Sequence, residues 1–342
     1  MEPADYPLPP EAVAQAPVEP RDAARMLVSV APGTAPEHHH VADLPAFVGP
    51  GDVIVFNTSR VLPARLLLTK RTGGAAEVLL LEPLEPSLWV GLVRPGRRIP
   101  PGTVLESGGR PVCEVGAPLG EGRRAIRLLA QATEVDALLQ SVGRIALPPY
   151  IHRPLADPER YQTIYADQPR SVAAPTAGLH LTRRVLDACR ERGATLCAVD
   201  LAVGLGTFRP VTAARVEDHV MHAERYDVPE ATMAACGSAR RVLAIGTTTL
   251  RALESAAASG ELSGSTRLFI HGAYRFRVVD VLLTNFHQPR SSLLVLLEAF
   301  YGPRWRDLYA LALAEGYRFL SFGDAMLVSR PSGADPAVTG DR

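Results

Sequence analysis

DVIVFN, Asp52 to Asn57, is the stretch that decides the fold. It follows the turn at Gly51 and carries three β-branched or aromatic apolar residues around Ile54, the texture of a strand buried on both faces. Strands of the same kind recur far downstream, as TLCAVDLAV (195–203), RVLAIG (241–246), RLFIHG (267–272) and VVDVLLTNF (278–286). Between the later ones the chain reads as helices. Thr182 is placed to cap a helix through Arg192, with Val185, Leu186 and Cys189 on one face and Gly193 as its stop; further helices are expected over Thr248–Ala258 and Ser291–Tyr301. Alternation of this kind argues for an α/β layer architecture.

Outward from Asn57 the texture changes. From about Leu62 to Ile145 the runs are short and β-like (VLLLEPL, WVGLV, TVLE, AIRLLA), broken by Gly73-Gly74, Pro95-Gly96, Pro100-Pro101-Gly102 and Gly108-Gly109. That is the pattern of a small antiparallel barrel or sandwich. Because DVIVFN precedes this stretch and its counterparts follow it, the expected fold is a large mixed α/β domain, residues 1–61 and 146–330, with a small antiparallel β-barrel, residues 62–145, inserted into it. The polar tail 331–342 is expected to be disordered.

At 342 residues and 47% hydrophobic the chain can bury a substantial core. Its 36 basic residues balance 36 acidic ones, which excludes a global field toward nucleic acid or membrane and leaves RNA contact to a local patch. Residues 62–145 hold eleven cations against eight acids, with RPGRR (Arg94–Arg98) and Arg123-Arg124 as the places for phosphate contacts. All cations but Lys70 are arginines. Four cysteines without CxxC spacing fit a reducing compartment. The acidic, proline-bearing start MEPADYPLPPE is unlike a signal peptide, and no apolar run approaches the ~20 residues of a membrane span. A cytoplasmic protein is expected, with no membrane partner.

Five motifs carry chemistry. VAAPTAGLH (172–180) precedes the Thr182 helix and sets small residues where backbone amides can cradle an anion, with His180 at the rim. His180 reads equally as a general acid or base and as a hydrogen-bonded structural histidine. VGLGTFRPV (203–211) needs close backbone approach at Gly204 and Gly206 but lacks the third glycine of a nucleotide loop. EDHVMHAE (217–224) sets His219 and His222 three apart; a zinc site would need a third ligand such as His180 or His287, and a polar active-site rim is the simpler reading. GTTTLRALESA (246–256) is a hydroxyl-rich turn into a helix with Arg251 and Glu254 three apart, a solvated pair or a substrate clamp. LLTNFHQPRSSL (282–293) ends a buried strand with Asn285 and His287, the usual place for function in a layered sheet. YRFLSFGDAML (317–327) adds Asp324, with a capping aspartate as the alternative. His38, His39 and His40 are assigned no role and are expected in an exposed loop.

In this order the motifs, with YPLPPEAVAQAP (6–17), RDAARMLV (21–28), GDVIVFNTSRVLPARL (51–66), GRIALPPYI (143–151) and ERYQTIYA (159–166), resemble the S-adenosylmethionine:tRNA ribosyltransferase-isomerases of the queuosine pathway over nearly the whole chain. The resemblance implies an α/β domain with an inserted barrel. It further implies that S-adenosylmethionine is consumed as a ribosyl donor: the ribose rearranges onto 7-aminomethyl-7-deazaguanine at the tRNA wobble position, adenine and methionine leave, and no metal or redox cofactor is needed. The partners it implies are that tRNA and S-adenosylmethionine, for a monomeric enzyme. The sulfonium acidifies the adjacent carbon, so a base is required, and loss of adenine asks for an acid or a hydrogen-bonding pocket.

On that basis His180, His222 and His287 are the expected proton-transfer groups, with Glu254 and Asp324 orienting them. Arg60, Arg251 and Asn285 are expected to hold a carboxylate or phosphate. Pro175, Thr176, Gly178, Gly204, Gly206, Thr207, Thr247 and Thr248 would complete the substrate site. The chain departs from the family pattern at Ala202, where a histidine is expected, and at Thr58, Arg170, Ala24 and Phe322. Two other readings compete: a methyltransferase, whose DxGxG spacing is broken by Leu201, Ala202 and Val203, and a catalytically silent RNA-binding paralogue.

Overall fold

The computed structural model describes residues 4–31, 33–167, 169–204 and 215–331. Gly206 and Thr207, and the tail beyond Pro331, lie outside the described residues. The chain divides into two compact units: Met1–Arg60 with Pro149–Gln168 and Ala174–Arg342, and Val61–Pro148 with Pro169–Ala173.

The first unit is built on a nine-stranded sheet. In spatial order its strands are Ser263–Thr266, Glu224–Asp227, Thr195–Leu201, Asp52–Asn57, Arg241–Ile245, Val281–Asn285, Ala325–Ser329, Arg25–Ser29 and Glu37–His40. Asp52–Asn57 is parallel to both neighbours, pairing Asn57 with Val199 and Phe56 with Ile245. Arg241–Ile245 is parallel to Val281–Asn285 as well, so four consecutive strands end on one edge. Ala325–Ser329 runs against them, which brings Asp324 and Ala325 to that same edge opposite Asn285.

Alternate residues of these strands, Met26, Ile54, Leu243, Ile245, Val281, Leu283 and Leu327 among them, form one core with Val185, Leu186 and Cys189 of the helix Arg183–Glu191. Helices Thr247–Ser259 and Ser292–Tyr301 pack on the same sheet with their own buried residues, so both faces are covered. Continuous apolar runs are what a doubly covered parallel strand requires. Thr182 caps its helix as its position suggests, accepting from Val185 N at 3.3 Å, and its hydroxyl also donates to buried Asp22 at 2.8 Å.

Two expectations are corrected. RLFIHG is not a strand; the strand is Ser263–Thr266, just before it. The Leu268 backbone is used by side chains instead of a ladder, its N–H donating to Thr266 Oγ1 at 3.1 Å and its carbonyl accepting from Arg251 Nε at 3.2 Å. The triple histidine is not a loop either. Glu37–His40 is the edge strand beside Arg25–Val28, and His38 Nδ1 lies 2.9 Å from the Tyr317 hydroxyl.

The second unit is a closed barrel of six antiparallel strands: Arg65–Lys70, Ala75–Glu85, Leu88–Arg94, Arg123–Leu128, Arg110–Gly120 and Thr103–Ser107, closing back onto Arg65–Lys70 through Thr69 and Glu106. Its strands fall between Asp52–Asn57 and Thr195–Leu201, adjacent strands of the large sheet, so the barrel is an insertion in an α/β fold as expected.

Candidate active site

The edge where the parallel strands end collects most of the polar motifs. Such carboxyl ends, at a point where strand order reverses, are where open α/β sheets place ligands. Asn57 fastens two of the strands. Its Nδ2 donates to Leu201 O at 2.9 Å, while its Oδ1 accepts from Leu201 N at 3.1 Å and Ser59 N at 3.0 Å. Beside it begins the helix Thr247–Ser259, introduced by Gly246 at φ 89°, a conformation in which a side chain would be strained. A Cβ there would also press on Ala177.

The loop VAAPTAGLH becomes a short helical turn, Thr176–His180, entered from Pro175. Its tight packing explains Gly178: any Cβ would run into the Tyr165 hydroxyl and meet Thr163 Cγ2 at 3.0 Å. Tyr165 packs against Phe56 with ring centroids 4.3 Å apart and the planes tilted, and its buried hydroxyl finds no hydrogen-bond partner among the described residues.

Three expected residues meet here. Thr176 Oγ1 donates to Asn285 Oδ1 at 2.8 Å, and Asn285 Nδ2 lies 3.0 Å from His180 Nε2. Because an amide nitrogen only donates, Nε2 is the acceptor and the imidazole proton sits on Nδ1. Burial first, then the charges of Arg318, Arg21 and Arg160, push the His180 pKa down to about 3. His180 is therefore a neutral imidazole at physiological pH. It lines a cleft of about 220 Å³, mouth included, with Arg21, Arg160, Leu179, Ser321 and Phe322. Arg21 spends its guanidinium on the carbonyls of Gln162, Leu179 and Glu159. Neither Arg21 nor Arg160 is singled out from sequence, since no local pattern marks an arginine that closes a site formed by residues distant along the chain.

His287 lies on the same strand end, but its surroundings are a framework. Its Nε2 is 3.1 Å from Thr284 Oγ1, its N–H donates to the Tyr309 hydroxyl at 2.8 Å, and its carbonyl accepts from Tyr6 at 2.6 Å. Burial alone lowers its pKa to about 3. His222 is exposed on the segment after His219, whose ring packs against Phe269 at 5.2 Å.

Arg251 and Glu254 do not pair with each other. Arg251, 4% exposed, forms an ion pair with buried Glu224, and the other Glu224 oxygen accepts from Gly204 N at 3.2 Å. Glu224 thus ties the first glycine of the VGLGTF motif to the helix, a role that sequence reasoning missed. Glu254 is fully buried and accepts four donors: Arg277 N at 2.9 Å, Val278 N at 3.0 Å, Val279 N at 3.1 Å and the Tyr274 hydroxyl at 3.3 Å. All four of its lone-pair positions are engaged, so it organises the loop 274–279.

Asp324 accepts from Arg25 N at 3.0 Å and Arg318 N at 2.8 Å, holding the turn before its strand. Gly323 has no room for a Cβ, which would collide with the backbone of Arg318 and Phe319. Arg60 is half-buried and paired with Glu159. Thr247 and Thr248 are buried at the helix start, and Asn57 Nδ2 approaches Thr248 Oγ1 at 3.4 Å. Ala202 donates its N–H to Arg225 O at 2.9 Å, a backbone contact to the neighbouring strand that needs no imidazole.

Among the described residues, no group of three or more His, Cys, Asp or Glu side chains is arranged to hold a metal ion. No helix among them is long and apolar enough to cross a membrane.

Comparison with known proteins gives a consistent picture. A family model described as "Queuosine biosynthesis protein" matches residues 1–328. The S-adenosylmethionine:tRNA ribosyltransferase-isomerase of Thermus thermophilus is 50% identical over 346 residues, covering 96% of this chain and 99% of its own. The protein of that name from Rubrobacter xylanophilus is 49% identical over 325 residues, covering 95% and 96%. The crystal structure of the S-adenosylmethionine tRNA ribosyltransferase of Thermotoga maritima superposes with a TM-score of 0.54 at 34% identity, covering 95% of this chain and 99% of that one.

Proposed function

The chain belongs to the queuosine biosynthesis protein family, and from that premise we propose how its own residues serve the family's reaction. The activity is that of an S-adenosylmethionine:tRNA ribosyltransferase-isomerase, with S-adenosylmethionine and tRNA as substrates. The ribosyl group passes to the aminomethyl group of a 7-deazaguanine at the wobble position and rearranges to the epoxycyclopentane, with release of adenine and methionine. S-adenosylmethionine is consumed, and neither a metal nor a redox cofactor takes part. The enzyme acts as a monomer in the cytoplasm.

One observation carries the assignment of residues: the chain Thr176, Asn285, His180 at the carboxyl edge of the parallel strands. With Nε2 occupied by the Asn285 amide, His180 offers Nδ1–H as a donor. A donor at the rim of a cleft suits the departing purine, whose ring nitrogens gain negative charge as the glycosidic bond breaks. The imidazole must be neutral to approach a sulfonium substrate without repulsion, and burial among arginines keeps it so. Proton abstraction from the carbon beside sulfur falls to His222 or His287. Thr247 and Thr248, at the start of a 13-residue helix, suit the methionine carboxylate, with the helix amides favouring negative charge. Arg60, Gly204 and Arg251 are assigned the remaining substrate contacts, together with Gly206 and Thr207; Glu254 and Asp324 act by holding the loop 274–279 and the turn before Ala325–Ser329.

The test is to supply S-adenosylmethionine and tRNA bearing 7-aminomethyl-7-deazaguanine and to quantify adenine and methionine. Both should appear in equal amounts. S-adenosylhomocysteine instead would mean methyl transfer, and no product at all a silent protein. Retention of wild-type adenine release by both His180→Gln and His287→Gln would remove these two histidines from the chemistry.

A further inference from the structure

A chain with no net charge has to recognise a polyanion through a local patch, and the barrel contains one. Its six strands alternate in direction, so the connections Lys70–Ala75, Arg94–Thr103 and Gly120–Arg123 share one rim, while Glu85–Leu88 and Ser107–Arg110 share the other. The first rim gathers Lys70, Arg71, Arg94, Arg97, Arg98 and Arg123 from parts of the sequence more than fifty residues apart. Arg94, Arg97 and Arg98 are exposed.

Little acid stands against them. Arg123 pairs with Glu121 at 2.8 Å and Arg71 with Glu106 at 3.6 Å. Glu77, opposite Arg94 in the ladder, is taken by Arg65 at 3.1 Å. Lys70, Arg94, Arg97 and Arg98 have no acidic partner within 4.0 Å among the described residues. The opposite rim is balanced: Arg110 and Arg127 are set there among Glu82, Glu85 and Glu114, the last directly across from Arg127.

We propose that the rim carrying Lys70, Arg94, Arg97 and Arg98 binds the sugar–phosphate backbone of the tRNA substrate. Guanidinium groups held on a rigid barrel, without acids to consume their donors, suit phosphate oxygens and carry no base preference. The assignment rests on tRNA being a substrate of this enzyme.

Binding of an unmodified tRNA transcript, measured from 50 to 200 mM salt, tests it. The double variant Arg97→Gln/Arg98→Gln should flatten the plot of log affinity against log salt by about two, one per lost phosphate contact. Its KM for tRNA should rise while KM for S-adenosylmethionine and kcat stay at wild-type values. Arg127→Gln, on the opposite rim, should leave the slope unchanged. The proposal is overturned if the double variant keeps the wild-type slope and tRNA KM, or if Arg127→Gln moves them as much. A wild-type chain that turns over but ignores the rim substitutions overturns only this assignment; one that neither binds tRNA nor releases adenine overturns the functional reading with it.

Discussion

The amide of Asn285 donates to Nε2 of His180 across 3.0 Å, joining two residues 105 positions apart. This contact fixes the tautomer of the imidazole, while burial and the nearby arginines keep it neutral. Asn285→Asp replaces the donor with a carboxylate that accepts, so His180 will turn its proton to Nε2 and its pKa will rise toward the ordinary imidazole range. Adenine release should fall by at least about tenfold, or ~1.4 kcal/mol in the barrier. The His180 signal in NMR of ring-labelled protein should titrate at higher pH than in the wild type; an unchanged titration would separate Asn285 from control of the imidazole.

His180 and His287 are both held neutral, with pKa values lowered to about 3, whereas in the unfolded chain each titrates near ~6.5. Between those values the unfolded state binds more protons, so stability is lost as pH falls from ~6.5 toward 3. Each histidine contributes up to about 1.4 kcal/mol per pH unit in that window. Denaturant unfolding at pH 7 and pH 5 should show the loss, and His287→Gln should reduce its slope. An equal slope in that variant would mean that carboxylates, not buried imidazoles, dominate the acid limb.

Gly178→Ala pushes a methyl group into the Tyr165 hydroxyl. Overpacking of this kind costs about 1–3 kcal/mol. Tyr165→Phe removes a buried hydroxyl that has no hydrogen-bond partner among the described residues, so it should be near neutral alone and should rescue Gly178→Ala. A double-mutant cycle by thermal unfolding measures the coupling; additive losses would show that the clash is relieved elsewhere.

Glu254→Ala strands four donors around a buried cavity. With charge-assisted bonds at about 1.5–3 kcal/mol each and partial rescue by water, a loss of about 3–5 kcal/mol is expected. Hydrogen exchange at Arg277, Val278 and Val279 should accelerate, whereas a group serving only in chemistry would leave those amides protected.

The parts of the fold that are legible in sequence are those written in consecutive residues. DVIVFN and RVLAIG announce buried strands because a strand covered on both faces must be apolar throughout, and Thr182 announces a helix because a cap is a local hydrogen bond. Arg110–Gly120 escapes notice because its run, RPVCEVGAPLG, mixes two prolines, an acid and two glycines and contains register shifts against its neighbour. RLFIHG misleads in the opposite sense: apolar enough for a strand, it lends its backbone to Thr266 and Arg251. In the site, motif order brings His180, Thr176 and Asn285 into one expected cluster, and they do meet. Arg251 and Glu254 look like partners at spacing three, yet burial gives each a separate obligation, one to Glu224 and one to the loop 274–279. Pairings of that length are set by the completed sheet, so no window of sequence contains them.

The position of Asp52–Asn57 between Thr195–Leu201 and Arg241–Ile245 has a consequence for biosynthesis. When this strand leaves the ribosome neither neighbour exists, and the first of them is about 140 residues away, roughly 7–28 s of elongation at ~5–20 residues per second. Its unpaired apolar backbone must wait through that interval. The barrel, whose strand pairings all lie between Arg65 and Arg144, can close within it. A nascent chain stalled just before Thr195, with the barrel strands clear of the exit tunnel, should therefore carry a protease-resistant core beginning after Arg60 while the segment before it is still cleaved.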